Sequence, residues 1–192
     1  MALKTSTLWL IIGAFIMFNI AQVGTIQHLI NHLTDVDFSA TTAATAVSFT
    51  GLGSTVGKFL FGSLSDRIPA RYCVVISFSL CLAATIILLS VVSTSSLVIL
   101  LTYALIMGFG IGGWTPLEAI LTSQNFGLIH YGAISGVVPL FYNISTGVGP
   151  TVFGYIYDVT QGYYWALILS LALYIVATVS IVALLRPKRR AE

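Results

Sequence analysis

Apolar runs of about twenty residues recur six times along this chain, and no other feature limits its fold as strongly. A helix of that length matches the hydrocarbon thickness of a bilayer, roughly 30 Å. Only 7% of the 192 residues are charged, against about a quarter in ordinary soluble domains. A soluble core cannot absorb so much apolar surface, and the runs lack the alternation of a membrane barrel. We therefore expect an all-α protein embedded in the lipid bilayer.

The apolar windows predict one six-helix transmembrane domain spanning residues 1–192. Turn-forming residues separate the windows, as at Thr34–Asp37 and around Pro69. The predicted helices lie near Leu8–Ile30, Ala40–Leu64, Tyr72–Val92, Leu97–Leu121, Ile134–Ile156 and Trp165–Leu185.

Basic residues collect on one side of these six spans. They are Lys4, Arg67, Arg71 and the tail residues Arg186, Lys188, Arg189 and Arg190. Connections richer in Lys and Arg stay in the cytoplasm. We therefore expect both termini to be cytoplasmic, in a multi-pass protein of a bacterial inner (plasma) membrane. The formal net charge of only +2 argues against a nucleic-acid partner.

The second and fifth predicted helices end with the same spacing of glycine and aspartate. Gly62 precedes Asp66 by four residues, as Gly154 precedes Asp158. With three helices per unit, the second unit enters the membrane from the opposite side. The spacing therefore indicates an inverted 3+3 repeat.

The segment from Gly62 through Asp66 and Arg67 to Arg71 carries the most specific motif in the chain. It resembles the signature that follows the second helix of a half in the major facilitator superfamily of transporters. The chain departs from that signature at Pro69 and at the following alanine. The resemblance implies half of the major facilitator fold, in which we expect Gly62 and Asp66 to pack helix two against helix five.

Two further stretches resemble one branch of that superfamily, the monocarboxylate and oxalate/formate carriers. They run from His28 to Ser39 and from Gly149 and Pro150 to Tyr163. The resemblance implies that the six helices correspond to helices seven to twelve of a twelve-helix carrier. Oxalate itself is not expected, because helix five lacks the lysine that oxalate carriers have there.

Lys58 is the only cation placed well inside a predicted span. Its stem could carry the ammonium to the inner interface, or it could face a central path and bind a substrate carboxylate. The resemblance favours binding, because carriers of this branch have an arginine four residues before the glycine that matches Gly62. The carboxylate found one turn earlier in monocarboxylate carriers is replaced by Ser54, so proton coupling by that route is not expected.

Helix five carries polar side chains at mid-membrane depth, which must face other helices or a cavity. They are Tyr142, Asn143, Ser145 and Thr146. Interhelical hydrogen bonding and cavity lining both fit them. Together with Lys58 and Ser54, we predict Tyr142, Asn143 and Thr146 as substrate-binding residues. The predicted structural motif comprises Gly62, Asp66, Arg67, Arg71, Gly149, Pro150, Gly154 and Asp158.

Three other groups have an ordinary interpretation and a functional one. The glycines of helix four at 108, 110, 112 and 113 suit close packing or a bendable gating helix. His28, His32 and Asp35 share one helix face. We interpret them as ordinary interfacial residues, in preference to a metal site or a pH sensor. Glu118 and His130 flank the predicted loop between helices four and five, as solvated residues or as a proton relay.

Enzymatic activity is not expected, because the spans contain no paired carboxylates, nucleophile elbow or metal-ligand cluster. No phosphate-binding loop, metal or cofactor is expected either. The predicted function is half of a secondary active transporter for a small organic anion such as a monocarboxylate, with a proton as a candidate co-substrate. It would work by alternating access with a second six-helix half, either a separate chain or a second copy. The alternative is a non-transporting membrane partner or a truncated remnant of such a carrier.

The predicted topology can be tested with reporter fusions. A reporter after Glu192 and one inserted between Asp158 and Gly162 should report opposite sides of the membrane. Alkaline phosphatase and a fluorescent protein give complementary readouts of each site. Two reporters on the same side would rule out six spans.

Overall fold

The computed structural model describes residues 6–92 and 96–183, and all of the regular structure in these ranges is α-helical. This confirms the predicted all-α class. The helices are α1 Ser6–Asp35, α2 Ala40–Ser65, α3 Ala70–Leu89, α4 Leu97–Phe126, α5 Leu128–Thr160 and α6 Tyr164–Ala183. Lys4 and the basic residues at 186–190, on which the predicted orientation depends, lie outside the described ranges.

Short polar side chains begin two of the helices. The Ser39 hydroxyl accepts a hydrogen bond from the Thr42 amide at 3.1 Å at the start of α2. At the start of α4, the Ser96 hydroxyl accepts from the Val98 amide at 3.2 Å. Each satisfies an amide that has no partner within its own helix.

The prediction of a loop between helices four and five is wrong. Helix α4 continues to Phe126 and α5 begins at Leu128, so one residue, Gly127, separates them. Gly127 has φ of 72°, a backbone conformation that favours glycine. Polar residues near 124 suggested a loop, but the Asn125 amide group donates back to the Leu121 carbonyl at 2.7 Å and stays within the helix.

Helix packing follows the two-unit pattern that the sequence predicted. Helix α2 packs against α4 as α5 packs against α1, α3 packs against α4 as α6 packs against α1, and α3 meets α6. Exchanging the first three helices with the last three converts the α2–α4 pair into α5–α1 and the α3–α4 pair into α6–α1, and it leaves the α3–α6 pair unchanged. Helices α1, α2, α4 and α5 form a ring, and α3 and α6 pack behind it.

Glycines bring the backbones of α2 and α4 into direct contact. A Cβ atom at Gly53 would lie 2.9 Å from the Leu105 carbonyl oxygen, and one at Gly57 would lie 2.6 Å from that of Phe109. From the other side, Gly108 and Gly112 meet the α2 backbone just as closely. The structure therefore gives these two glycines of α4 a packing role.

The predicted packing of helix two against helix five is wrong. Nothing lies within 4 Å of a Cβ built on Gly62, and Asp66 is exposed. Gly62 follows Gly53 by nine residues, which places the two on opposite faces of a helix with 3.6 residues per turn. The face of α2 that packs is the Gly53 face, and its partner is α4.

Four of the described helices are long and apolar enough to cross a membrane. By length and composition they are Leu8–Asp35, Ala70–Leu89, Leu97–Asn125 and Tyr164–Ala183. Helices α2 and α5 do not reach that apolarity, since both are rich in glycine, serine and threonine. The two helices that fall short of this criterion over their described residues thus occupy equivalent places in the two units.

The α2–α4 contact predicts a difference between two glycine substitutions. Gly57→Leu should lower the free energy of unfolding by about 1–3 kcal/mol, because the new side chain meets the backbone of α4. Gly51→Leu should leave stability unchanged or slightly raised, because Gly51 is exposed with nothing within 4 Å of a Cβ. Thermal unfolding in mild detergent measures both. Equal losses would contradict the assigned contact.

Candidate functional site

A cavity of about 220 Å³ lies within the ring, between α1, α4 and α5. Its lining residues come from three helices. They are Ile12, Phe15, Ile16, Trp114, Thr115, Glu118 and Tyr142.

Aromatic rings form one wall of this cavity. The Trp114 and Tyr142 ring centroids are 4.6 Å apart with an interplanar angle of 48°. Phe15 lies 5.5 Å from Trp114, and the Phe18 ring packs behind them, 6.2 Å from Trp114. Tilted contacts of this kind stabilise a fixed wall.

Glu118 is the only charged residue in the described lining. It lies within α4, eight residues before the helix end, or about 12 Å along the axis. The interpretation of Glu118 as a solvated loop residue is therefore wrong. Its side chain is partly buried, and no described side chain forms a hydrogen bond or ion pair with it.

Asn19 joins α1 to α5 beside the cavity. The side chain is 1% exposed, and its amide nitrogen lies 2.8 Å from the Ser145 hydroxyl, 2.9 Å from the Thr146 hydroxyl and 3.1 Å from the Tyr142 carbonyl, so its two N–H groups are shared among three acceptors on α5. The Ser145 and Thr146 side chains of helix five thus serve interhelical hydrogen bonding inside the bundle, whereas that of Asn143 does not. We did not identify Asn19 from the sequence, although it is the only amide in the apolar run from Ile11 to Ala21.

His28 forms a second link between α1 and α5, nearer the C-terminal ends of both helices. The Pro150 carbonyl, 3.1 Å from Nε2, can only accept a hydrogen bond, so Nε2 carries the proton. In the neutral ring, Nδ1 then accepts from the Tyr163 hydroxyl at 3.1 Å. Burial raises the pKa of Tyr163, which keeps that hydroxyl protonated.

The Gly149 segment of the predicted motif, which lies in α5, packs against α1. A Cβ at Gly149 would lie 2.6 Å from the Ile20 carbonyl oxygen, and one at Gly154 would lie 3.9 Å from the His28 ring. Gly149, Pro150 and Gly154 therefore position α5 against α1. Asp158 is exposed near the end of α5.

His32 and Asp35 lie close to this cluster, where the His32 ring meets the Tyr163 ring edge-on at 5.8 Å. Among the side chains that the structure describes, which exclude that of His130, no group of three His, Cys, Asp or Glu is placed to hold a metal ion.

The structure places the predicted substrate residues in two different locations. Tyr142 lines the cavity, whereas Lys58 and Asn143 are exposed on α2 and α5 with no described partner. The Lys58 backbone lies at the level of Gly112, since a Cβ there would be 2.8 Å from the Lys58 nitrogen. Ser54 is partly buried against the same glycine.

The two arginines of the motif after α2 are both exposed. Arg67 follows the helix end, and the Arg71 guanidinium lies 5.6 Å from the centroid of the Tyr72 ring.

A family model described as the Major Facilitator Superfamily matches residues 3–192. The chain belongs to this superfamily. Superfamily members carry solutes across membranes without transforming them, so the chain is an integral multi-pass membrane protein and not an enzyme.

Comparison with known proteins gives the same fold. Over 92 residues, 46% of this chain and 16% of the relative, the sequence is 32% identical to the inorganic phosphate transporter PHO84 of Saccharomyces cerevisiae. An auto-inhibited POT family peptide transporter has a TM-score of 0.81 at 17% identity over 93% of this chain and 37% of its own. The fucose:proton symporter FucP of E. coli has a TM-score of 0.73 at 18% identity over 94% and 43%. The chain thus spans less than half the length of each of these transporters.

The Asn19 link predicts a specific loss of stability. Asn19→Ala should lower the free energy of unfolding by about 1–2 kcal/mol, because its hydrogen bonds join two helices. Asn143→Ala is the matched control, since that amide is exposed and has no described partner. Thermal unfolding in detergent compares them. A loss for Asn143→Ala as large as that for Asn19→Ala would contradict the assignment.

Proposed function

We propose that this chain forms one half of a secondary active transporter for a small organic anion such as a monocarboxylate. In this proposal residues 1–192 make a single six-helix transmembrane domain. The domain works by alternating access against a second six-helix half across a shared substrate path.

The observation that carries the proposal is the polar face on each of α2 and α5, the two helices that fall short of the apolarity of the other four. Ser48, Thr55 and Lys58 are exposed at helical spacing on one face of α2. Asn143 and Thr151 are exposed at the same kind of spacing on one face of α5. Polar side chains at membrane depth face protein or water rather than lipid. In this proposal a further helical body and the substrate path that it shares with this chain cover both faces.

The lengths of similar transporters indicate what that body is. The matching part is 37% of the peptide transporter chain and 43% of FucP, so each has room for another unit of this size. A second six-helix half would cover both α2 and α5, because the two occupy equivalent places in the repeat. Both a separate chain and a second copy of this one meet this requirement.

Within that path Lys58 is the proposed contact for the substrate carboxylate. The two hydroxyl groups on the same face of α2 already have acceptors within the helix. Ser48 donates to the Ala44 carbonyl at 3.0 Å, and Thr55 donates to the Gly51 carbonyl at 3.1 Å. Lys58 and Asn143 have no described partner, so they are free to bind a solute. An anion also suits the relative PHO84, described as a phosphate transporter.

The remaining features of the proposal come from the resemblance and the charge distribution. The chain would be the C-terminal half of a carrier of the monocarboxylate and oxalate/formate branch. It would lie in a bacterial inner membrane with both termini in the cytoplasm. Lysine is a point charge rather than a bidentate fork, so weak selection among small carboxylates is expected.

Substitution of Lys58 tests the anion contact. Lys58→Gln should abolish uptake of labelled lactate, pyruvate or formate into proteoliposomes that contain the chain with its second half. Lys58→Arg should retain part of the uptake because the charge remains. Thr55→Val, on the same face, should retain uptake because its hydroxyl bonds only its own helix.

Two results would count against the proposal. If uptake by Lys58→Gln equals that of the parent, Lys58 does not bind the substrate, and its side chain only extends to place the ammonium at the membrane interface. Blue-native sizing after mild extraction distinguishes a homodimer from a pair with another chain. A monomer that transports would show that no second half is required.

A further inference from the structure

Glu118 is unlike every other acidic residue in the described part of the chain. Asp35 and Asp158 lie near helix ends, and Asp37 and Asp66 lie in connections. Glu118 alone lies well inside a helix that is long and apolar enough to span a membrane. A carboxylate in that position is costly unless a cation, a proton or water stabilises it.

Among the side chains that the structure describes, the groups packed around Glu118 provide no positive charge. Helix α1 contributes Ile12 and Ile16 to the cavity, and α5 contributes Tyr142, its one titratable group there. Helix α3 faces α4 at Gly110 with Cys81 and Ser77, and the Ser77 hydroxyl donates to the Gly110 carbonyl at 2.7 Å.

The cations on neighbouring helices lie elsewhere. Lys58 of α2 is level with Gly112, six residues before Glu118 and so about 9 Å away along the axis. Arg71, at the start of α3, is exposed and lies against the Tyr72 ring.

This environment couples the charge of Glu118 to water. While water fills the cavity the ionised carboxylate is solvated, and when the cavity closes the aromatic wall favours the neutral acid. A carrier that alternates access opens and closes such a cavity in each cycle. Protonation of Glu118 and closure of the cavity would therefore accompany one another.

We propose that Glu118 carries the coupling proton of the transporter. The inference rests on the proposed transport function and names its driving ion. A proton passes from water to a carboxylate oxygen of Glu118 to form the neutral acid, and it returns to water on the other side. No other bond forms or breaks. Glu118 thus replaces the route that is missing at Ser54.

Trp114 provides a reporter in the same cavity that needs no transport assay. In a Trp9→Phe, Trp165→Phe background, it is the only tryptophan left in the chain. Its emission should change in one step over about pH 4 to 9 in purified protein. The step should be absent in Glu118→Gln and retained in Asp158→Asn, which removes an exposed carboxylate instead. A step that persists in Glu118→Gln, or a parent without a step, would overturn the proposal.

Transport then tests coupling with the same variants. In proteoliposomes holding both halves, Glu118→Gln should lose accumulation of labelled pyruvate driven by a pH gradient while keeping pyruvate exchange at equal pH. Accumulation by Glu118→Gln equal to the parent would overturn the coupling role and leave the transporter intact. A parent that neither accumulates nor exchanges any small carboxylate would overturn the proposed function, a result separate from the Trp114 titration.

Discussion

Direct contact between helix backbones is the interaction on which the rest of this structure depends. Lipid offers apolar side chains as good an environment as another helix does, so helices in a membrane associate through close packing and hydrogen bonds. Gly53 and Gly57 allow this contact between α2 and α4, and Gly149 allows it between α5 and α1. With both pairs in contact, the four helices form the ring that contains the cavity.

Hydrogen bonds then satisfy most polar groups that the ring brings into the bundle. Asn19 donates to α5, Ser77 donates to α4, and Thr25 of α1 lies 3.1 Å from Ser170 of α6. Each bond compensates for the loss of water around a buried polar group, so that group is not available to bind a solute. The buried hydroxyls of Tyr103, Thr122 and Tyr174 also have no described partner, but they are neutral. Glu118 and Lys58 differ from them because they are ionisable residues on the described helices, and the functional proposals rest on that charge and on their positions.

Several sequence predictions failed for one shared reason. Gly62 was expected to meet helix five, yet it faces away from the packed side of α2. Glu118 was interpreted as a solvated residue beside a loop, yet α4 continues past it to Phe126 and its side chain is partly buried. In both cases the residues were recognised correctly, but the partner of the helix face or the exact helix end depends on contacts between distant segments.

The sequence by itself determined that the chain is helical, that it lies in a membrane and that it contains two related units. Hydrophobic length, composition and the repeated glycine and aspartate spacing are local properties, so they can be read without a fold. Only the tertiary structure decided which faces meet, that Asn19 holds α5 and that Glu118 lines a cavity. Helical spacing shows which residues share a face, but what that face touches is decided by packing between helices far apart in the chain.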